Sequence, residues 1–278
     1  MKRNTPKSVL KAFLFWIVLL LVLLFFLYPL YWLIATSFKN YIDAFAMPPK
    51  FFFKPTLNNY KTVFHKSNFF NNIFNSLICA FSSTAVGIAL GVPCAYAISK
   101  LHVKKSKDIS FFFLSARIAP PIMIILPMYI IFNKIGLSGS KWALIFMYIT
   151  MTLPIVVWMM PVYFRDIPSE LSDAALIDGC SDWQAFAKVM LPLSRPSIAA
   201  TSIYCIILTW NEFLIALILS NKSSQTLPVA VTSFLTFQGT EWGPLCAAGS
   251  IIMIPMIIFG CAIQKYFVRG LVNGAVKG

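Results

Sequence analysis

Six stretches of this chain are apolar over lengths that a water-soluble fold has no use for. A helix crosses the hydrocarbon core of a bilayer with about 20 mostly apolar residues, and segments 13–37, 72–99, 109–132, 142–161, 197–219 and 245–267 all meet that requirement. Backbone polar groups in lipid must be satisfied within the segment, so each run is expected to be an α-helix rather than an isolated strand. An all-α integral membrane protein with six transmembrane helices follows as the expected fold class. With 59% apolar and only 12% charged residues, the composition agrees.

Segment 38–71, rich in Lys, Asn, Phe and Pro, is too polar to span and is expected to form a folded external segment. The chain then divides into 1–71 (first helix plus external segment), a core of five helices at 72–268 with a loop at 162–196, and a tail at 269–278. Lys2, Arg3, Lys7 and Lys11 precede the first run, which also suits a signal peptide. The run is long for one, however, and no small-x-small cleavage site follows it before Tyr28, Pro29 and Trp32.

Orientation comes from the positive residues, which concentrate in cytoplasmic loops. With the N-terminus inside, 14 of the 23 Lys and Arg lie on the cytoplasmic side and 8 outside, with Arg117 inside the third run. Both termini are therefore expected in the cytoplasm. A net charge of +14 would suggest nucleic acid in a soluble chain, but here the topology accounts for it and no nucleic-acid partner is expected. Pro29, Pro93, Pro120, Pro121, Pro127, Pro154 and Pro255 punctuate the runs, consistent with bent helices around a pathway or simply with the tolerance of membrane helices for proline.

Loop 162–196 is far longer than a connection between two helices requires. It holds five of the nine acidic residues: Asp166, Glu170, Asp173, Asp178 and Asp182. The pattern predicts two short helices. In the first, after Pro168, Leu171, Ala174, Ala175 and Asp178 recur at helical spacing, with acidic residues early, where the helix dipole favours them. Gly179 supplies a left-handed helix end. Ser181 followed by Gln184 is a capping box for the second helix, whose apolar face is Phe186, Val189 and Met190 and which ends at Leu191-Pro192. Small side chains at Ala174 and Ala175 suit close docking into a partner's cleft, or packing on the neighbouring helix ends.

These residues resemble the cytoplasmic motif of permease subunits in bacterial ABC importers: Glu-Ala-Ala, three residues, Gly, nine residues, Ile, any residue, Leu-Pro. Here the same spacing carries Asp173, Ala174, Ala175, Gly179, Val189, Leu191 and Pro192, with aspartate for glutamate and valine for isoleucine. Asn58-Asn59-Tyr60, Asn75-Ser76, Trp210-Asn211-Glu212-Phe213, Thr226-Leu227-Pro228-Val229, Trp242-Gly243 and the C-terminal stretch from Gln264 are similar to the carbohydrate-uptake branch, in particular the smaller permease of maltose-type systems. The resemblance implies a type I importer-like bundle in the bacterial cytoplasmic membrane. It also implies a second, homologous permease, two copies of an ATP-hydrolysing subunit and an extracytoplasmic solute-binding protein. Asp173, Ala174, Ala175, Asp178, Gly179, Val189, Leu191 and Pro192 would couple the permease to the ATPase. The solute implied is a sugar or oligosaccharide, with glycerol phosphate or another non-sugar solute as the alternative.

No GxxxxGK[ST] phosphate loop occurs in the chain, so ATP is expected to be used by the partner and no cofactor to be bound here. Cys79, Cys94, Cys180, Cys205, Cys246 and Cys261 form no CxxC pair, and His65 and His102 stand apart, so neither a metal site nor a catalytic site is expected. Asn211 and Glu212 lie inside the fifth apolar run, where an ionisable group is expensive unless it faces protein or water. Glu212 is open to three roles: a contact in the translocation path, a structural hydrogen-bond acceptor, or a proton-coupling carboxylate without a visible relay. Arg117 either snorkels to the interface or neutralises a partner. Tyr129, Trp158, Tyr204 and Trp210 suit sugar stacking as well as ordinary packing at a lipid interface. A secondary transporter would need paired intramembrane charges, and a membrane enzyme a clustered polar site; neither pattern stands out.

Overall fold

The computed structural model describes residues 6–66, 68–101, 103–237 and 239–275, so Lys2, Arg3, His102 and Lys277 of the sequence reading lie outside the described residues. The chain is overwhelmingly helical and divides into two compact units, Met1–Ser67 with Val231–Met253, and Asn68–Ala230 with Ile254–Gly278.

In the first unit, α1 (Pro6–Ser37) carries the first apolar run; none of residues 10–34 is buried, whereas Ala35, Thr36 and Ser37 at its end are. Its C-terminal carbonyls, which no helical N–H can reach, are taken by the segment that follows. Asn59 Nδ2 donates to the carbonyls of Ser37 (2.8 Å) and Lys39 (2.7 Å), and Ser37 Oγ pairs with the Tyr60 hydroxyl at 2.8 Å. Gly243 packs on Asn59 so closely that a Cβ there would sit 2.5 Å from Oδ1. Lys39, 1% exposed, lays its ammonium 3.8 Å from the Trp32 ring centroid. The polar segment folds into α2 (Tyr41–Ala44), started by the Asn40 side chain accepting from Asp43 N, and α3 (Asn58–Lys66). Lys50 pairs with Asp43 at 2.7 Å.

In the second unit, α4 (Phe69–Lys100) is the partner of α7. Between them come α5 (Ser106–Ser115) and α6 (Pro121–Lys134), and α7 itself runs Lys141–Asp166. The α4–α7 seam is close because of glycine, as small residues let membrane helices approach. A Cβ on Gly87 would lie 2.5 Å from Thr152 Oγ1, and one on Gly91 2.7 Å from Val156 Cγ1. Thr152 Oγ1 in turn donates to the Ser83 carbonyl at 3.1 Å.

α8 (Glu170–Ile177), α9 (Asp182–Ala185), a π-helical turn at Phe186–Met190 and α10 (Leu191–Leu193) form the connection to α11 (Arg195–Trp210). α12 (Leu214–Leu219) and α13 (Leu227–Val231) follow. Asn75 Nδ2 pins the intervening turn by donating to the carbonyls of Ser223 and Gln225, and Ser76 Oγ accepts from Leu227 N at 2.8 Å. A hairpin, β1 (Leu235–Thr236) with β2 (Gly239–Thr240), precedes α14 (Trp242–Ala275).

Among the described residues, four helices are long and apolar enough to cross a membrane: Leu10–Ser37, Phe69–Lys100, Lys141–Asp166 and Trp242–Gln264. Asp182–Leu193 with Arg195–Trp210, bent by 75°, makes a fifth if the pair counts as one. Two of the expected continuous runs are interrupted. The third breaks between α5 and α6 at Pro120-Pro121: neither proline has an N–H to give, the residue before a proline is pushed out of the helical region, and Pro121 instead opens α6. The fifth stops at Trp210 and resumes at Leu214.

Candidate functional site

The loop after α7 is built as its sequence specifies. α8 ends in a Schellman motif: Cys180 N donates to the Ala175 carbonyl (2.9 Å) and Gly179 N to that of Leu176 (3.0 Å). Gly179 stands at φ +85°, a conformation that glycine takes without penalty. The capping box is complete, with Gln184 N donating to Ser181 Oγ (3.3 Å) and Ser181 N to Gln184 Oε1 (3.0 Å).

Two details differ from the sequence reading. Ala174 and Ala175 do not share a surface: Ala174 is exposed, while Ala175 turns inward with Ser172, since adjacent helical residues lie about 100° apart. Nor does Leu191-Pro192 end the second helix. The chain winds through a π turn, where Leu191 N donates to the Phe186 carbonyl, and continues to Leu193 before bending at Ser194. One extra residue per turn gives a helix room for a proline that has no N–H to offer. Ser194 Oγ then donates to the Met190 carbonyl at 2.9 Å.

The outward surface consists of Asp173, Ala174, Asp178 and Gly179, together with Leu171, which the sequence pattern places on the face of Ala174, and with two residues the pattern did not single out, Ile177 (86% exposed) and Trp183 (64% exposed). No local pattern marks Ile177 or Trp183 as uncovered, since that depends on which distant segments pack on α8 and α9. Val189, Leu191 and Pro192 are half-buried and belong to the inner, packed side. There, Phe186 and Met190 join Tyr96, Val156, Met160 and Phe164 in a core cluster, and Lys100 Nζ donates to the Ile167 carbonyl at 2.6 Å.

Asn211 and Glu212 sit in the α11–α12 interruption. Asn211 Nδ2 donates to the Ile207 carbonyl (2.7 Å) and approaches Met256 Sδ (3.2 Å). The Glu212 carboxylate accepts from Ile215 N (2.9 Å) and Ala216 N (3.1 Å), capping the first turn of α12. Of the roles open to Glu212, the hydrogen-bonding one is realised in this conformation. Arg117 lies in the α5–α6 break, where Nη1 donates to the Met151 carbonyl of α7 at 3.3 Å. Its guanidinium thus holds a backbone carbonyl near the Pro154 position rather than simply reaching for the interface.

Residues 87–273 match the family of binding-protein-dependent transport system inner membrane components. The chain is 37% identical to a probable ABC transporter permease protein of Sinorhizobium fredii, over 99% of this chain and 98% of the relative. It is 33% identical to the trehalose/maltose transport system permease protein of Thermococcus litoralis, over 98% and 99%. Among solved structures, a bacterial ABC transporter involved in the import of the acidic polysaccharide alginate superposes with a TM-score of 0.79 at 20% identity, covering 96% of this chain and all of that one. The chain belongs to the family of binding-protein-dependent transport system inner membrane components. It is a membrane permease subunit.

Proposed function

We propose that this permease carries sugars or oligosaccharides across the bacterial cytoplasmic membrane, working with a homologous second permease, two ATP-hydrolysing subunits and an extracytoplasmic solute-binding protein. In this reading the chain crosses the bilayer six times with both termini in the cytoplasm, the broken pairs α5–α6 and α11–α12 each serving as one crossing. Relatives named for trehalose, maltose and diacetylchitobiose transport support the solute class. Asn211 and Glu212 are assigned to the translocation path, where a break in a helix exposes polar groups to a water-filled route. The surface of Asp173, Ala174, Ile177, Asp178 and Gly179 is assigned to docking on the ATPase. No phosphate loop is present in the sequence, so ATP binding falls to the partner subunit.

The observation that carries this reading is the loop: a helix, a left-handed glycine turn and a capped second helix, with apolar side chains exposed on one side and packed on the other. Such a surface biases a two-state transporter only if its partner grips it differently in the two states. Proteoliposomes containing both permeases and the solute-binding protein, with and without the ATPase subunits, test the assignment. Oligosaccharide uptake is expected only with the ATPase subunits and ATP. Equal uptake without them would show a secondary transporter instead.

A further inference from the structure

The docking loop touches more than the two helices to which it is covalently joined. Trp183, exposed on the outer side of the loop, packs on Phe186 in a tilted ring contact, with centroids 5.2 Å apart. Phe186, in the π turn, lies 4.9 Å from Tyr96 of α4. Tyr96 lies 5.7 Å from Phe164 near the end of α7, in a T-shaped contact. Phe186, Tyr96 and Phe164 are all buried, Tyr96 to 5% exposure. Four rings thus form an unbroken row from the loop's exposed surface into the α4–α7 seam.

We infer that Tyr96 is a positioning residue for transport, the contact through which movement of the docking loop is imposed on α4. This rests on the docking assignment above. α7 and α11 follow the loop through the backbone, but α4 has no direct backbone link to it; it follows through ring contacts and the Lys100–Ile167 hydrogen bond beside the loop, and, further along, through its seam with α7, where Thr152 Oγ1 bonds the Ser83 carbonyl. Close-packed interiors barely compress, so a displaced Phe186 must carry its neighbour with it or open a void. Once Tyr96 moves, the remainder of α4 moves with α7, because Gly87 and Gly91 leave no slack against Thr152 and Val156. Phe186 opens the π turn of the helical stretch that bends by 75° into α11, so a rotation of that stretch about the bend becomes a lateral push on its ring.

The test uses the complete importer in proteoliposomes, reading solute taken up per ATP hydrolysed and, separately, ATPase subunits co-purified per permease. Tyr96→Leu is expected to lower uptake per ATP by about 3- to 30-fold, the range that residues along a coupling route command, with co-purification unchanged. Tyr96→Phe, which keeps the ring, is expected to restore the ratio. Adding Phe186→Leu to Tyr96→Leu is expected to cause little further loss, since both break one contact. Should Tyr96→Leu not assemble, Tyr96→Met, which fills the space without a ring, is read in the same way. An unchanged ratio in the assembled variant, or independent multiplying losses from Tyr96 and Phe186, overturns the inference. Lost co-purification on substituting the exposed Ile177, with Tyr96 variants fully coupled, would leave docking standing and remove only the aromatic row. Normal co-purification and uptake after substituting both Ile177 and Gly179 would remove docking itself.

Discussion

The loop after α7 and the α11–α12 interruption are both places where a helix stops and restarts, yet they do so by different means. In the loop, the restart uses residues typical of helices in water: Gly179 for the turn, Ser181 and Gln184 for the cap. Inside the apolar run it uses Asn211 and Glu212, whose side chains close the end of one helix and the beginning of the next. The difference follows from solvent. A frayed helix end in water is satisfied by water, so a weak cap suffices; in lipid or a packed bundle an unpaired N–H costs several kcal/mol, so a strong acceptor must be built in.

Substitutions at the two ends should therefore differ in cost. Glu212→Leu removes the acceptor for Ile215 N and Ala216 N together and is expected to destabilise the chain by about 2–4 kcal/mol, with Glu212→Gln milder; thermal unfolding in detergent measures both. A cost for Glu212→Leu no larger than that of a loop cap would erase the contrast. Gly87→Val, which forces a side chain into Thr152, should cost about 1–3 kcal/mol in the same assay, marking the α4–α7 seam as the rigid body beside the break.

Gly179→Val should cost about 1–2 kcal/mol for the left-handed conformation alone, because nothing within 4 Å would meet its Cβ. Its larger effect should appear as lost uptake at nearly normal stability, separating a docking defect from a folding defect. Ser181→Ala should be the mildest, about 1 kcal/mol, visible as faster amide exchange at Gln184 with the spans unaffected.

What the sequence disclosed follows the same division. Gly179, the Ser181–Gln184 box and the membrane-length helices at α1, α4, α7 and α14 were legible, because each depends on local pattern alone. The breaks were not. Counting apolar residues treats 109–132 and 197–219 as continuous, since Pro120, Pro121 and Asn211 hardly alter the average, although they decide where backbone hydrogen bonds stop. Glu212 was visible as an anomaly, but not as a cap, because its partners are backbone N–H groups that carry no side-chain signal. Ala174 and Ala175 were assigned to one surface because adjacency in sequence conceals the rotation between them, and Ile177 was overlooked because an apolar residue near a helix end looks like core until its neighbours are placed.

On the proposed function, the exposed side of α8 is the contact surface for the ATP-hydrolysing partner. A photo-crosslinking side chain at position 177, in the assembled importer, tests it most directly. A crosslink to the ATPase subunit is expected, with a yield that changes when ATP is added; crosslinking only to lipid or to the permeases, in both conditions, would contradict this contact.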